Sequence, residues 1–259
     1  MALPVFLINL DRSPDRLARC APPLDALGLP WERVSAVDGA RLEPDDLRRL
    51  NPQPPPHGEW FRPLTAGEIG CFLSHLRCWQ LIAERDLACG LILEDDFERL
   101  EGCTRETLQA LAATASRWDV LKLSHPLRRT RLVQAVAGIR LERGGRGRVD
   151  CNAYLLSRRG AAKLIPQRER IWRPVDFEFK HHWERGLAVL TTRPALFHQL
   201  SHEQAASIIG ERTEYRAYPA LRKARVYLRK HRYHARFWLA DRLGVGRQNL
   251  LNPQNGSGR

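Results

Sequence analysis

No stretch of the 259-residue chain approaches the 18 or more apolar residues that a membrane-spanning helix needs. Residues 1–10 are apolar, but they carry no basic region and no cleavage signal ahead of Asp11 and Arg12, so they do not read as a leader. Together these absences set the expectation of a protein made and kept in the cytoplasm. Paired cysteines are missing too. Cys20, Cys71, Cys78, Cys89, Cys103 and Cys151 show no CxxC spacing, which excludes a zinc ribbon or disulfide scaffold and leaves ordinary reduced thiols. There is no internal repeat, and no low-complexity tract beyond one proline-rich segment. Acidic residues are in deficit, 29 against 42 Lys and Arg, for a net charge of +13. That balance points to an anionic partner surface, whether phosphate, nucleotide, phospholipid or nucleic acid, without choosing among them. What is present is core material: 43% hydrophobic residues are enough for one large domain or two small ones and rule out disorder over the whole chain.

The run PVFLINL at 4–10 reads as a strand, Ser13–Pro14 as a helix start and Gly28 as its stop, and WERVSAV at 31–37 as a second strand before an Asp38–Gly39 turn. This βαβ opening predicts a parallel sheet with ligands at the carboxyl ends of its strands, near residues 9–12 and 36–39. Five prolines between 52 and 63 make a loop. Thr65 and Glu68 then form a T-x-x-E capping box that opens a helix through Leu73, Leu76, Trp79 and Ile82. GLILEDD at 90–96 predicts a buried central strand ending in carboxylates, followed by a helix at 104–116 and a strand at 118–124. The arginine-rich segment 128–148, with Gly144, Gly145 and Gly147, reads as a surface loop or hairpin. NAYLLS at 152–157 predicts a strand, with Ser157 capping the helix that follows, and LAVLTT at 187–192 predicts the last strand.

Two constellations could carry chemistry. Glu94, Asp95 and Asp96 end an apolar strand, and three contiguous carboxylates cannot all be buried ionised without a countercharge. A hard divalent ion such as Mg²⁺ or Mn²⁺ is the natural one; shared with a diphosphate it relieves a poor leaving group. A solvated acidic turn is the plainer alternative. The helix start LTAGEIGCFLSHLRCW at 64–79 places Gly67, Gly70, Ser74 and His75 on an otherwise buried helix, as close approach of a ligand or a neighbouring backbone would require. Taken alone, His75 reads equally as a satisfied core histidine.

In chain order, FLINLDRSPDR, AVDG at 36–39, LTAGEIGCFLSH at 64–75, LILEDD at 91–96, WDVLKL at 118–123, YLLSRRGAAKL at 154–164 and PVD at 174–176 resemble glycosyltransferase family 25. That family includes bacterial lipopolysaccharide and lipooligosaccharide galactosyltransferases and collagen galactosyltransferase domains. The resemblance implies an α/β, GT-A-like nucleotide-sugar fold with a mostly parallel central sheet flanked by helices. It also implies a metal-dependent inverting transfer, usually from UDP-galactose. Residue by residue, Asn9, Asp11 and Arg12 fall where nucleotide contact is implied, with Arg16 one helical turn on, where a guanidinium suits a diphosphate. A solvated helix face is the alternative for the two arginines. Asp38 would meet base or ribose, unless it only makes a turn. Glu68, Ser74 and His75 lie in the block that resembles the donor site. Asp95 and Asp96, with Glu94, match the acidic metal motif for Mn²⁺ or Mg²⁺; which two of the three bind stays open. His202, or His198, would complete the metal site. Asp176 is the first candidate for the base that takes the acceptor proton and Glu178 the second, while a helix cap is the alternative for Asp176.

The resemblance covers residues 4 to about 210, which sets a catalytic domain at 1–210 and a basic, helical extension at 211–259. The extension carries +9 of the charge and mixes cations with Tyr227, Leu228, Tyr233, Phe237 and Trp238. This pattern predicts a helix around 217–243 lying on the cytoplasmic face of the inner membrane, or else packed on the domain through Leu221, Ala224, Leu228, Ala235 and Leu239. The expected partners are a UDP-hexose donor, a lipid-linked or lipopolysaccharide-core glycan acceptor and an anionic membrane surface. A basic nucleic-acid-binding protein would leave the EDD strand end and the 64–79 helix unexplained. A fold-bearing but inactive relative is opposed by intact Asp95, Asp96 and Asp176.

Overall fold

The computed structural model describes residues 3–53, 60–125, 127–144, 150–200, 226–235 and 239. The chain opens with β1 (Val5–Asn9), α1 (Pro14–Asp25, started by Pro14), β2 (Trp31–Ser35) and α2 (Pro44–Leu50). Next comes α3 (Ala66–Glu84), whose N-terminus is closed by the expected capping box: Thr65 accepts from the Glu68 amide at 3.1 Å and Glu68 from the Thr65 amide at 2.9 Å. β3 (Cys89–Glu94), β4 (Phe97–Arg99), α4 (Arg105–Ala112) and β5 (Val120–Lys122) follow. A hairpin of β6 (Arg131–Val136) and β7 (Ile139–Arg143) leads to β8 (Ala153–Ser157) and α5 (Arg158–Leu164). The remaining elements are α6 (Val175–Lys180), β9 (Val189–Arg193) and β10 (Phe197–Gln199).

Eight strands form one sheet in the order β2-β1-β3-β8-β5-β9-β7-β6, and β10 pairs with β4 in a small second sheet. β1 is fully buried on both faces, so its side chains divide between two cores by simple alternation. Val5 and Leu7 join Leu24, Leu91, Leu108 and Trp118 on the α1/α4 side. Phe6 and Ile8 join Ile92, Phe72, Trp79 and Leu164 on the α3/α5 side.

The expectation of a mostly parallel sheet is corrected by this topology. β1 is parallel to β2 and β3, and β5 to β9, but β8 is antiparallel to both β3 and β5, and β7 is antiparallel to β6 and β9. β8 starts beside Leu93, at the end where β3 finishes, so no crossover resets its direction. The arginine-rich hairpin is likewise more than a surface excursion. β7 joins the main sheet and buries Leu141, while edge strand β6 leaves Leu132 and Val133 exposed.

Residues 226–235 are helical, with Val226 and Tyr233 buried and Tyr227, Leu228, Arg229 and Arg232 exposed. Tyr233 packs on Trp60 at 5.1 Å and His181 at 5.3 Å between ring centroids. The seating face is thus 226 and 233, whereas Leu228, Ala235 and Leu239 are exposed. His202, the boundary at 210 and the outer parts of the expected 217–243 helix lie outside the described residues.

Candidate active site

β3 delivers Glu94 to the end of the sheet, and the chain turns through Asp95 and Asp96 into β4. The three acids have different surroundings. Glu94 lies 3.0 Å from His75 Nε2 and accepts from the Cys151 thiol at 3.2 Å. Burial pushes its carboxyl up, but the His75 contact, the Cys151 thiol and the Arg16 charge outweigh this and hold it below the ordinary value. Asp95 turns inward, accepting from Asn9 Nδ2 at 2.7 Å and pairing with Arg16 at 2.9 Å; burial still raises its pKa, partly offset by Arg16. Asp96 accepts from Gln199 Nε2 at 2.9 Å through one oxygen, while Oδ1 is buried without a hydrogen-bond partner among the described residues. Burial and the neighbouring Glu94 charge push Asp96 up to about 7.

Glu94 opens onto a cavity of about 470 Å³. Asp176, in the first turn of α6, lines the same cavity with its Oδ1 unpartnered among the described residues, and burial followed by the Glu94 charge pushes it to about 7 as well. Asn152, just before β8, presents both side-chain amide atoms buried and without a partner among the described residues, and the Trp60 indole N–H is in the same condition. Buried polar groups left unmatched in a cavity wall are costly unless a ligand supplies the missing partners. The opposite wall is aromatic: Trp60 packs tilted on Phe61 at 4.3 Å and edge-to-face on Phe177 at 4.6 Å, and Tyr227 and Lys230 extend it from the helical segment.

The remaining sequence-chosen residues fall into distinct groups. Asn9 is fully buried, donating to the Ser13 carbonyl as well as to Asp95 and accepting from Arg33, which ties the ends of β1, β2 and β3 together. Asp11 is exposed and takes hydrogen bonds from Arg33 and Ser35, and Arg12 pairs with Asp38 at 2.8 Å beyond the same strand ends. Asp38 also caps a short 3-10 turn through the Ala40 amide. None of these four lines the cavity. Glu68 does, held by Arg62 at 2.8 Å. Ser74 accepts from the Val37 amide at 2.8 Å and donates to the Gly70 carbonyl at 2.7 Å, fixing the 36–39 segment against α3. Gly39 and Gly70 permit that approach, because a Cβ on Gly39 would lie 1.8 Å from the Ala66 carbonyl oxygen. Glu178 is buried 3.4 Å from Arg173 and 3.5 Å from Arg185, off the cavity wall, and His198 lies on β10 opposite Glu98. Trp60, Cys71, Asn152 and Cys151 are cavity residues that local patterning did not single out; a Trp–Phe pair inside a proline-rich loop was the one available signal.

A family model described as glycosyltransferase family 25 (LPS biosynthesis protein) matches residues 2–178. The chain belongs to glycosyltransferase family 25. Family 25 relatives include a probable inactive glycosyltransferase 25 family member 3 from Bos taurus, 33% identical over 74% of this chain and 36% of that protein. The procollagen galactosyltransferase 1-A of Xenopus laevis is 36% identical over 62% of this chain and 28% of its own length. The inactive glycosyltransferase 25 family member 3 of Homo sapiens is 33% identical over 74% and 36%. This family 25 chain therefore spans about a third of the length of the relatives it matches. The cavity, with Glu94 and Asp176 on its wall, falls largely within the family-matched residues, whereas Gln199, Val226, Tyr227 and Lys230 lie beyond them.

Proposed function

We propose that the chain is a metal-dependent, inverting hexosyltransferase of GT-A-like fold, moving galactose from UDP-galactose to a glycan hydroxyl on a lipid-linked or lipopolysaccharide-core acceptor. One observation carries the reading: Glu94 and Asp176 line one cavity, Asp96 lies within reach of the Glu94 charge, and both aspartates keep a buried carboxylate oxygen, like the Asn152 and Trp60 polar atoms on the cavity wall, without a hydrogen-bond partner among the described residues. The crowding of oxygens fits a hard cation, Mn²⁺ or Mg²⁺, and Asp96 with Glu94 would hold it, while Asp95, anchored to Asn9 and Arg16, positions the turn. When bound, that ion supplies positive charge for a departing diphosphate. Asp176 takes the acceptor hydroxyl proton, the role its raised pKa and cavity position suit. Asn152 and Trp60 orient sugar hydroxyls, and the aromatic wall receives the apolar faces of the rings. Arg12 and Asp38, paired beyond the ends of β1 and β2, would meet the nucleotide.

The galactosyltransferase relative supports the donor, and the parallel β2-β1-β3 opening followed by an antiparallel β8 supports the fold. Among the described residues no helix is long and apolar enough to cross a membrane. The exposed Tyr227, Leu228, Arg229 and Arg232 on a seated helix support peripheral binding to an anionic bilayer on the cytoplasmic face. Release of UDP from UDP-galactose, measured with Mn²⁺ and again with EDTA, tests the activity. Metal-dependent release upholds the reading. Tight UDP binding without release from galactose, glucose or N-acetylhexosamine donors would instead align the chain with the inactive relatives.

A further inference from the structure

Behind the carboxylates lies a cluster of different chemistry. One potential ligand atom from each of Cys71, His75 and Glu94 lies within 4.8 Å of the others. Cys151 adjoins two of the three, its Sγ 3.2 Å from Glu94 Oε1 and 3.6 Å from His75 Nε2. Two sulfurs, an imidazole nitrogen and one carboxylate oxygen are a donor set that suits four-coordinate zinc. The far side of His75 is prepared as well. Its Nδ1 meets the Tyr154 hydroxyl at 2.9 Å, and that oxygen also accepts from Trp79 Nε1 at 2.8 Å, so the ring is fixed with Nε2 toward the thiols. Such a partner on the second nitrogen is what orients a metal-binding histidine.

We infer that Cys71, His75, Glu94 and Cys151 form a second cation site, selective for Zn²⁺ and similarly thiophilic ions, in the cavity wall, sharing Glu94 with the oxygen-lined site of Asp96. The sequence scatters these residues over 81 positions with no CxxC, but α3, β3 and the approach to β8 bring them together. Cys71, Glu94 and Cys151 line the cavity, which gives an ion its entry path. On binding, each thiol releases its proton to solvent and ligates as thiolate. Softness separates the two sites: thiolate and imidazole favour zinc, whereas carboxylates alone favour Mg²⁺ or Mn²⁺.

The test reads the metal directly and does not depend on glycosyl transfer. Reduced, metal-stripped full-length protein is titrated with Co²⁺, and the near-ultraviolet thiolate-to-cobalt charge-transfer band is followed, with Zn²⁺ as competitor. A band saturating at one equivalent and displaced by Zn²⁺ is expected. Cys71→Ser and Cys151→Ser should each weaken Zn²⁺ binding by about 100-fold or more, while Asp96→Asn keeps the band. Absence of the band in the wild-type protein would overturn the site whether or not the variants fold. So would a band of unchanged affinity in both serine variants, which would assign it to other cysteines.

Discussion

Asp96→Asn should make the metal-free protein more stable at neutral pH while greatly weakening its response to Mn²⁺. The Asp96 carboxyl rises from 3.8 in the unfolded chain to about 7 in the fold, because burial and Glu94 disfavour its charge. Between these values the native state holds a proton that the unfolded state has lost, so stability falls as pH rises from about 4 to about 7 and stays low above that. Three pKa units set a ceiling of about 4 kcal/mol. Because Asp96 is only partly buried, the realised loss is reduced to roughly 1–3 kcal/mol. Asparagine keeps the Gln199 contact and does not titrate, so in EDTA at pH 8 its Tm should exceed the wild type's by about 3–10 °C. Below about pH 4, with the carboxyl protonated in both states, the gap should close. Mn²⁺ at a hundredfold excess over its Kd should add about 2.7 kcal/mol to the wild type and far less to the variant. Scanning calorimetry at both pH values, with EDTA and with Mn²⁺, checks this. An Asp96→Asn protein less stable than wild type at pH 8 in EDTA, or equally stabilised by Mn²⁺, would refute the account of an uncompensated carboxylate.

Four further outcomes are expected. Asp176→Asn should lower kcat by about 10²–10⁴-fold with little change in the donor KM, and the acid limb of the pH–rate profile, where wild-type activity rises as Asp176 loses its proton, should vanish. Gly70→Ala places a Cβ 2.5 Å from the Val37 carbonyl oxygen and 2.6 Å from the Gly39 amide nitrogen, and should cost about 1–3 kcal/mol in a urea melt. Gly102→Ala, with no atom within 4 Å, should show only the roughly 1 kcal/mol cost of its positive φ. Tyr233→Ala should destabilise by about 3 kcal/mol and expose Trp60 to a fluorescence quencher, because the ring buries that indole from the tail side; an unchanged melt would detach the helix from the domain.

Features legible in the sequence were those fixed by local chemistry. The Thr65/Glu68 box, the Ser157 cap on Gly160 and the Gly28 stop at φ +62° depend on residues within a few positions of one another, and each appears where the pattern put it. α2 carried a comparable signature in Pro44, Asp45, Asp46, Arg48 and Arg49, one that a reading centred on apolar periodicity passes over. Strand direction was not legible, because LLS reads alike whichever way the strand enters. β8 is antiparallel only because the chain comes back at the end where β3 stops. At the site, the acids and Asp176 stood out as residue types, but the His75–Glu94–Cys151 contact joins segments 19 and 57 positions apart. Only the fold states that pairing.

The central position of β8 also sets the order in which the molecule can be built. Until residue 157 has left the ribosome, β3 has no neighbour on the side away from β1, and its Leu91, Ile92 and Leu93 border an open sheet edge. β5 is stranded likewise, since both of its partners, β8 and β9, are synthesised after it. The first 150 residues of a nascent chain are therefore an unfinished half-sheet with an adhesive rim. Arrival of five residues, AYLLS, joins the two halves, and a chain interrupted just before them should be a substrate for chaperones rather than a smaller folded domain.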